Sequence, residues 1–214
     1  MTTTIIFDMN GVITDDEHIH ELATKEAFSD IGIQLTAEDY RAFCLGRTDI
    51  AAFKDLFEKF DVQHQNTSEL IAKKSIRYQE LIKENLKIYP GIVDFIKNQS
   101  SKYTLALTSS STYDEVTGVV NLLNIKDFFK IIITANDVKR GKPHPEPYLL
   151  TAKQLNVNPK ECLVLEDSEN GVLSAIAAGM VCVAITNTEV KNKLEKANYI
   201  VENLESLQNI LDEI

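Results

Sequence analysis

Residues 4–12 read TIIFDMNGV, a short apolar run closed by an aspartate, and this stretch decides the fold class. The run lacks alternating polar residues, which is typical of a parallel strand covered on both faces of a sheet. Asp8 follows the run directly, and ligands bind at the carboxyl ends of strands in open α/β sheets. Taken alone, Asp8 could equally cap a helix or a turn, so its interpretation depends on the rest of the chain.

Further short apolar runs recur along the chain, each closed by polar or small residues. They lie at residues 103–108, 131–133, 162–165, 181–185 and 199–201. Helical patterns separate them, at residues 91–98, from Thr112 onward, at 145–155 and at 168–178. Strand and helix thus alternate over residues 88–214, which predicts an open α/β sheet with right-handed crossovers.

The segment between the first and second runs has a different character. Residues 15–87 hold no clear strand, and their helical patterns lie at 17–31, 37–43, 49–60 and 68–87. The predicted organisation is therefore an α/β core with a Rossmann-like parallel sheet, formed by residues 1–14 and 88–214, and an inserted all-helical cap domain at residues 15–87. An insert directly after the first strand would cover the ligand-binding edge of the sheet.

Composition narrows the classes of partner and location. The chain has 214 residues, of which 44% are hydrophobic, enough for a substantial core. Its formal net charge of -10 disfavours nucleic acid and anionic membranes as partners. No apolar run reaches the ~18 residues of a membrane span, no signal peptide is recognisable, and the three cysteines are scattered. We expect a cytoplasmic protein, and a monomer.

Three more sites place polar residues at the ends of later strands or in the loops after them. Ser109 and Ser110, in the TSSS turn at 108–111, offer hydroxyl and N–H groups that suit a phosphate. Lys142, in the rigid loop RGKPHP, offers a compact positive charge. Glu166 and Asp167 are adjacent carboxylates of the kind that bind magnesium. Alone, each site has an ordinary alternative, a helix cap or a solvated lysine.

Together and in this order, the four sites resemble the four motifs of the haloacid-dehalogenase-like superfamily. The stretch FDMNGVITDDE at 7–17 is similar to the first motif of that superfamily. GKPHPEPY at 141–148 and LEDSENG at 165–171 resemble the subgroup that contains β-phosphoglucomutase and small sugar-phosphate phosphatases. The resemblance covers nearly the whole chain, and the helical insert is similar to the cap of that subgroup.

The resemblance implies a nucleophile and a metal site. Asp8 would attack phosphorus and become an aspartyl phosphate. The Asp8 and Asp167 carboxylates and the backbone carbonyl of Asn10 would hold Mg²⁺, with Glu166 in support. Phosphoryl transfer depends mainly on positioning and electrostatic stabilisation, and such a site supplies both.

The resemblance also implies residues that bind the substrate. Ser109 and the backbone of Ser110 would hold the transferring phosphoryl group, and Lys142 would neutralise its charge. In the cap, candidate substrate residues are the loop Gly46-Arg47-Thr48, together with His20 and Lys74. The alternatives for the last two are a surface histidine and a solvated lysine in a charged helix.

Asn10 departs from the family pattern. Phosphatases and mutases of the family carry an aspartate at this position, which protonates the leaving oxygen and then activates water. An amide can do neither, and general acid–base help is worth roughly 10²–10⁴ in rate. Asn10 is then an engineered change, or a natural one in a slow or non-catalytic protein, or a natural one with the proton relayed by Asp15, Asp16, Glu17 or His20.

Three functions follow from these motifs. The leading prediction is a magnesium-dependent phosphatase of a small phosphorylated metabolite, a sugar phosphate, acting through an aspartyl phosphate on Asp8 with its acid–base step impaired or rerouted by Asn10. The second is β-phosphoglucomutase-like isomerisation, which Asp49 disfavours because the mutase has an arginine there for a second phosphate. The third is a non-catalytic binder of phosphorylated metabolites, which Asn10 alone supports.

Overall fold

The computed structural model describes residues 2–62 and 66–213 and contains one parallel sheet. Its six strands are β1 (Thr4–Phe7), β2 (Thr104–Thr108), β3 (Ile131–Ile133), β4 (Cys162–Glu166), β5 (Val181–Ile185) and β6 (Tyr199–Val201). All pairings are parallel, in the order β3-β2-β1-β4-β5-β6, so β1 lies at the centre between β2 and β4. The predicted α/β class is confirmed.

Helices connect the strands. Four helices follow β1: α1 (Glu17–Ser29), α2 (Ala37–Phe43), α3 (Asp49–Lys59) and α4 (Thr67–Asn85). The later helices are α5 (Ile92–Ser100), α6 (Tyr113–Leu122), α7 (Glu146–Leu155), α8 (Glu169–Ala177) and α9 (Leu204–Glu213). All but α9 fall on the helical patterns read from the sequence. None of the helices described is both long enough and apolar enough to traverse a membrane.

The central strand explains why its sequence shows no polar alternation. Ile5 and Phe7 pack into one hydrophobic cluster with α5, α6 and α9, whereas Ile6 packs into a second cluster with α7 and α8. Both faces of β1 are therefore buried, as expected for a parallel strand between two layers of helices. The arrangement leaves Asp8 at the carboxyl end of the strand, where the chain emerges from the core.

The first four helices have a hydrophobic cluster of their own. It contains Phe28 of α1, whose ring meets that of Phe53 of α3 edge-on, with centroids 4.8 Å apart. The two connections to the sheet run side by side, since Asp15 N–H donates to Lys87 O at 2.9 Å. This cluster and the paired connections support the predicted cap, and Ile19 of α1 and Tyr78 of α4 pack into the core cluster that contains Phe7. The cap boundaries at 14/15 and 87/88 stay a prediction.

Candidate active site

Three carboxylates converge at the carboxyl ends of the two central strands. Asp8 follows β1, and Glu166 and Asp167 lie at the end of β4; all three are buried, with oxygens within 4.8 Å of one another. The Asp8 N–H donates to Leu165 O at 3.0 Å, which continues the pairing of the two strands. The convergence brings together residues from the first and fourth predicted motifs.

Lys142 joins the third motif to this cluster. Its ammonium nitrogen lies 2.5 Å from Asp8 Oδ1 and 2.5 Å from Glu166 Oε1, and it also donates to Thr108 O at 3.3 Å. The side chain is 3% exposed. Lys142 is thus a buried ion-pair partner, and the alternative of a solvated loop lysine is wrong.

Glu166 is fixed by an unusually complete set of donors. Besides Lys142, it accepts from the Tyr148 hydroxyl at 2.7 Å and from the backbone N–H groups of Asp167 and Ser168 at 3.0 and 3.2 Å. A Cβ on Gly171 would lie 1.8 Å from the Glu166 carboxyl carbon, so α8 can approach this carboxylate only with glycine there. Glu166 does not line the pocket and is placed as a support beneath it.

Charge and burial together shift the acidities of the cluster. Burial raises the pKa of Asp8 to about 7, although Lys142 acts in the opposite direction. Burial, followed by the charges of Glu166 and Asp8, raises the pKa of Asp167 well above its usual value. Burial also opposes ionisation of Glu166, but the Lys142 charge together with the hydrogen bonds from Lys142, Tyr148 and the Asp167 N–H holds its pKa below the usual value.

The cluster has the charge and chemistry of a divalent-cation site. Three carboxylates face one lysine, and Asp167 forms no ion pair with any described residue. The backbone is shaped around Asp167, because a Cβ on Gly11, which has φ of +80°, would lie 1.7 Å from Asp167 Oδ2. A small cation with oxygen ligands would fit these donors and offset the excess negative charge.

The serine turn after β2 reaches the same site. Ser110 lines the pocket, whereas Ser109 is buried and accepts from Ser111 N–H at 3.0 Å. The Ser111 hydroxyl donates to Asn10 Oδ1 at 2.9 Å, and Ser109 reaches the same oxygen at 3.4 Å. Ser111 was not among the predicted site residues, because nothing in a run of three serines distinguishes which one meets Asn10.

The Asn10 side chain is held by a buried carboxylate. Its amide nitrogen lies 3.0 Å from both oxygens of Asp16. Asp16 is fully buried and also accepts from the Thr14 hydroxyl at 2.8 Å and from the Tyr78 hydroxyl. Burial raises the pKa of Asp16 above its usual value. Asn10 and Asp16 are complementary because the Asn10 amide donates hydrogen bonds to the Asp16 carboxylate. An aspartate at position 10 would be a second acceptor and, when ionised, could not donate.

His20 and Lys74 meet inside the pocket. Both are buried, so the surface alternatives for them are wrong. Lys74 Nζ lies 3.0 Å from His20 Nδ1, 3.0 Å from Asp49 Oδ2 and 2.9 Å from Glu115 Oε1. Despite burial, the two carboxylates raise the pKa of Lys74, which keeps it charged.

The charge on Lys74 determines the tautomer of His20. An ammonium group only donates, so His20 Nδ1 accepts and the ring proton is on Nε2. Burial, and then the Lys74 charge, lower the pKa of His20 well below its usual value. His20 Nε2 lies 3.0 Å from the Asn10 amide nitrogen. With the ring proton on Nε2 both groups are donors, so this contact is not a hydrogen bond. The neutral ring also stacks on Tyr78, with centroids 4.0 Å apart.

The loop between α2 and α3 closes the pocket from the cap side. Gly46 and Arg47 line it, and the Arg47 guanidinium is held by Phe43 O at 3.0 Å and Asp55 at 2.6 Å. Thr48 does not line this pocket; it lies against Gly141 at the start of α3. The free space is only about 50 Å³, below the ~300–1,000 Å³ of ligand sites. The cap is therefore closed, and substrate entry needs it to move.

Glu17, at the start of α1, also lines the pocket. It accepts a hydrogen bond from the Tyr40 hydroxyl at 2.5 Å, and burial raises its pKa to about 7. From the sequence, Glu17 is one of four possible proton relays, and no local pattern distinguishes it from its neighbours. Its position facing the cluster depends on the packing of α1 against α2.

Comparison with known proteins agrees with this geometry. A family model described as haloacid dehalogenase-like hydrolase matches residues 5–185. The chain is 30% identical over 219 residues to the phosphorylated carbohydrates phosphatase of Thermotoga maritima, with 98% of each chain covered. It is 28% identical over 192 residues to hexitol phosphatase B of Escherichia coli, with 87% of this chain and 85% of the relative covered.

A solved structure extends the likeness to three dimensions. The β-phosphoglucomutase of Clostridium difficile superposes with a TM-score of 0.86 at 29% identity, covering 100% of this chain and 98% of that one. The four motifs, the parallel sheet and the helical insert thus occur together in a chain matched over most of its length. This protein belongs to the haloacid dehalogenase-like hydrolases and is an enzyme similar to their phosphatases and to β-phosphoglucomutase.

Proposed function

We propose that this enzyme is a magnesium-dependent phosphatase that hydrolyses a small sugar phosphate through an aspartyl phosphate on Asp8. One observation carries the proposal: the Asp8 carboxylate lines the pocket while Lys142 and the acidic cluster surround it. The relatives that act on phosphorylated carbohydrates and carry the name hexitol phosphatase support a sugar phosphate as the substrate class.

In the proposed mechanism the chain positions the nucleophile and compensates charge. The free oxygen of Asp8 attacks phosphorus while Lys142 holds the other oxygen and offsets the charge of the phosphoryl group. Ser109 and the backbone of Ser110 hold the phosphoryl oxygens. Mg²⁺, held by Asp8, Asp167 and the backbone carbonyl of Asn10, with Glu166 in support, would supply electrostatic stabilisation of the transferring group.

The cap residues have proposed roles in substrate recognition. His20 and Lys74 line the closed pocket and are assigned to substrate contacts, and the loop Gly46-Arg47-Thr48 closes over the substrate through Gly46 and Arg47. Water exclusion on closure would protect the phosphoryl group until the leaving oxygen has departed. A cytoplasmic location and a monomeric state stay predictions.

Two alternatives have specific support. The likeness to the Clostridium difficile structure favours mutase activity, but Asp49 pairs with Lys74 and would repel a second phosphate. A non-catalytic binder is favoured by Asn10, whose side chain carries no acid–base proton. Both alternatives leave the nucleophile and the metal site in place. The mutase differs from the phosphatase in its product, and the binder differs in having no turnover.

Phosphate release from a panel of sugar phosphates, with Mg²⁺ and with chelator, tests the proposal. The parent is expected to release phosphate only with Mg²⁺, and Asp8→Asn is expected to release none. Phosphate release that persists in Asp8→Asn would refute the mechanism. Binding of phosphate without turnover of any substrate would favour the non-catalytic alternative, and conversion of glucose 1-phosphate to glucose 6-phosphate would favour the mutase.

A further inference from the structure

One catalytic group is missing from this mechanism, namely the general acid–base that Asn10 cannot supply. We propose that the Glu17 carboxyl group performs this role, protonating the leaving oxygen and then deprotonating water. The inference rests on the proposed phosphatase function. Four side chains that follow Asn10 in the sequence carry a proton of the right kind. The geometry favours Glu17 and excludes Asp15, Asp16 and His20.

The two aspartates lack access to the substrate. Asp15 is exposed on the outside and does not line the pocket. Asp16 is fully buried behind Asn10, and its oxygens already accept hydrogen bonds from Asn10, Thr14 and Tyr78. A proton on either residue would have no path to a leaving oxygen in the closed pocket.

His20 reaches the pocket but is held in one protonation state. Its Nδ1 faces the Lys74 ammonium at 3.0 Å, so a second proton there would place two cations in contact. Its Nε2 hydrogen points toward residue 10 rather than into open space. His20 can donate a hydrogen bond, but it cannot cycle between acid and base beside a charged lysine.

Glu17 satisfies the positional requirement. It lines the same pocket as Asp8 and Asn10 and retains partial exposure there. The Tyr40 hydroxyl holds Oε1 at 2.5 Å, and Oε2 makes no hydrogen bond within the described part of the chain. One oxygen is therefore fixed and the other is available, which is the arrangement that a positioned acid–base needs.

The surroundings of Glu17 balance its two protonation states. Burial raises its pKa to about 7, the Tyr40 hydrogen bond and the Lys74 charge lower it, and Asp16 and Glu21 raise it. Several ionisable groups lie close enough to interact with the Glu17 carboxyl group, namely Asp16, Glu21, Tyr40, Cys44, Lys74, Tyr78 and Asp167. A carboxyl group that titrates near neutral pH can act as an acid in one step and a base in the next.

The proton balance closes over two steps. As Asp8 forms its bond to phosphorus, the bond from phosphorus to the sugar oxygen breaks, and that oxygen keeps the electron pair and takes the proton of Glu17. Glu17, now a carboxylate, then takes a proton from water while the water oxygen bonds to phosphorus. The bond from phosphorus to Asp8 breaks, and the Asp8 carboxylate is regenerated. The products are the free sugar and phosphate.

The experiment uses p-nitrophenyl phosphate with Mg²⁺, because p-nitrophenolate leaves without an acid. In Glu17→Gln we expect a stoichiometric burst of p-nitrophenol, followed by steady-state turnover reduced roughly 10²–10⁴-fold because water is no longer deprotonated. The matched control is Glu38→Gln, an exposed carboxylate of α2 that does not line the pocket, which is expected to turn over like the parent. The burst also reports that the variant is folded.

A second variant tests the same assignment through pH. Steady-state turnover of the parent should rise with pH through about 7, where Glu17 becomes the carboxylate that accepts a proton from water. Asp8 ionises in the same range, so the assignment to Glu17 depends on the shift of this midpoint in a variant that alters Glu17 alone. Tyr40→Phe removes a hydrogen bond that favours the carboxylate, so the midpoint should move to higher pH. Glu17→Gln turnover equal to that of the parent, or an unchanged midpoint in Tyr40→Phe, would overturn the inference. Absence of both burst and turnover in the parent would instead refute the phosphatase function.

Discussion

The Lys74 ammonium group of α4 lies 2.9 Å from the Glu115 carboxylate of α6, so a cap helix and a core helix share a buried ion pair. The two side chains are 3% and 0% exposed. The distance is that of a salt bridge, but Glu115 Oε1 lacks the alignment of a directed hydrogen bond. The charge of Lys74, rather than a well-aligned hydrogen bond to Glu115, therefore holds the Glu115 and Asp49 carboxylates close together where α4 meets α6.

Removal of the Lys74 charge should destabilise the closed protein. Lys74→Met leaves the buried Glu115 carboxylate and the partly buried Asp49 carboxylate without their cation, and breaking a buried pair in this way costs about 3–5 kcal/mol. Urea denaturation measures the change in unfolding free energy. The control is Lys73→Met, since Lys73 is half exposed and its pair with Glu69 spans 3.4 Å, so its loss should cost less than about 1 kcal/mol. Equal losses would contradict the buried role of Lys74.

Asn10→Asp should be destabilised, and more so as pH rises. The change sets a second carboxylate about 3 Å from Asp16, where both cannot remain ionised in a buried site. A raised pKa in the folded state means that the folded variant binds an extra proton, so stability relative to the parent falls between pH 5 and pH 8. We expect a loss of about 1–3 kcal/mol at pH 8, measured with urea in the presence of chelator.

A double variant in which the residues at positions 10 and 16 are interchanged provides the control for that prediction. Asn10→Asp combined with Asp16→Asn restores one carboxylate and one amide, so the extra loss at pH 8 should disappear. If the unfolding free energy of Asn10→Asp depends on pH no more than that of the parent, the 3.0 Å contact between residues 10 and 16 is contradicted.

Lys142→Gln should abolish most of the catalysis, and it should also destabilise the fold because Asp8 and Glu166 lose their buried cation. Lys142 touches both Asp8 and Glu166, and loss of a preorganised charge at the transferring group costs roughly 10²–10³ in kcat. Steady-state hydrolysis of p-nitrophenyl phosphate measures the effect. Lys139→Gln, an exposed residue of the same loop, is the matched control and should retain the parent rate. A Lys142→Gln rate close to that of the parent would exclude the proposed role.

Asp167 should account for stabilisation by magnesium. A ligand that binds only the folded state at 100 times its Kd stabilises by about 2.7 kcal/mol, and thermal unfolding with and without Mg²⁺ measures this. We expect the shift in Tm to vanish in Asp167→Asn and to persist in Glu169→Gln, because Glu169 pairs with Lys193 on the surface. A full shift in Asp167→Asn would place the cation elsewhere.

The secondary structure was largely predictable because each element leaves a local pattern in the chain. Buried parallel strands are short apolar runs, and all six strands fall on the runs identified in the sequence. Helix α9 was missed, although Leu207 and Leu211 recur at helical spacing and are buried. The segment is short and polar at most other positions, and only its contact with the sheet distinguishes it from a terminal tail.

The sequence by itself determined the α/β class, the helical insert and the set of motifs, because the nucleophile, lysine and acidic pair each follow a recognisable strand or loop. Only the tertiary structure decided which side chains meet inside the pocket. Tyr78 reaches Asp16 from 62 positions away and Ser111 reaches Asn10 from 101. Contacts between such distant residues depend on how helices pack. Burial then shifts the pKa of Glu17 and of His20, and the neighbouring carboxylates keep Lys74 charged, which no local pattern records.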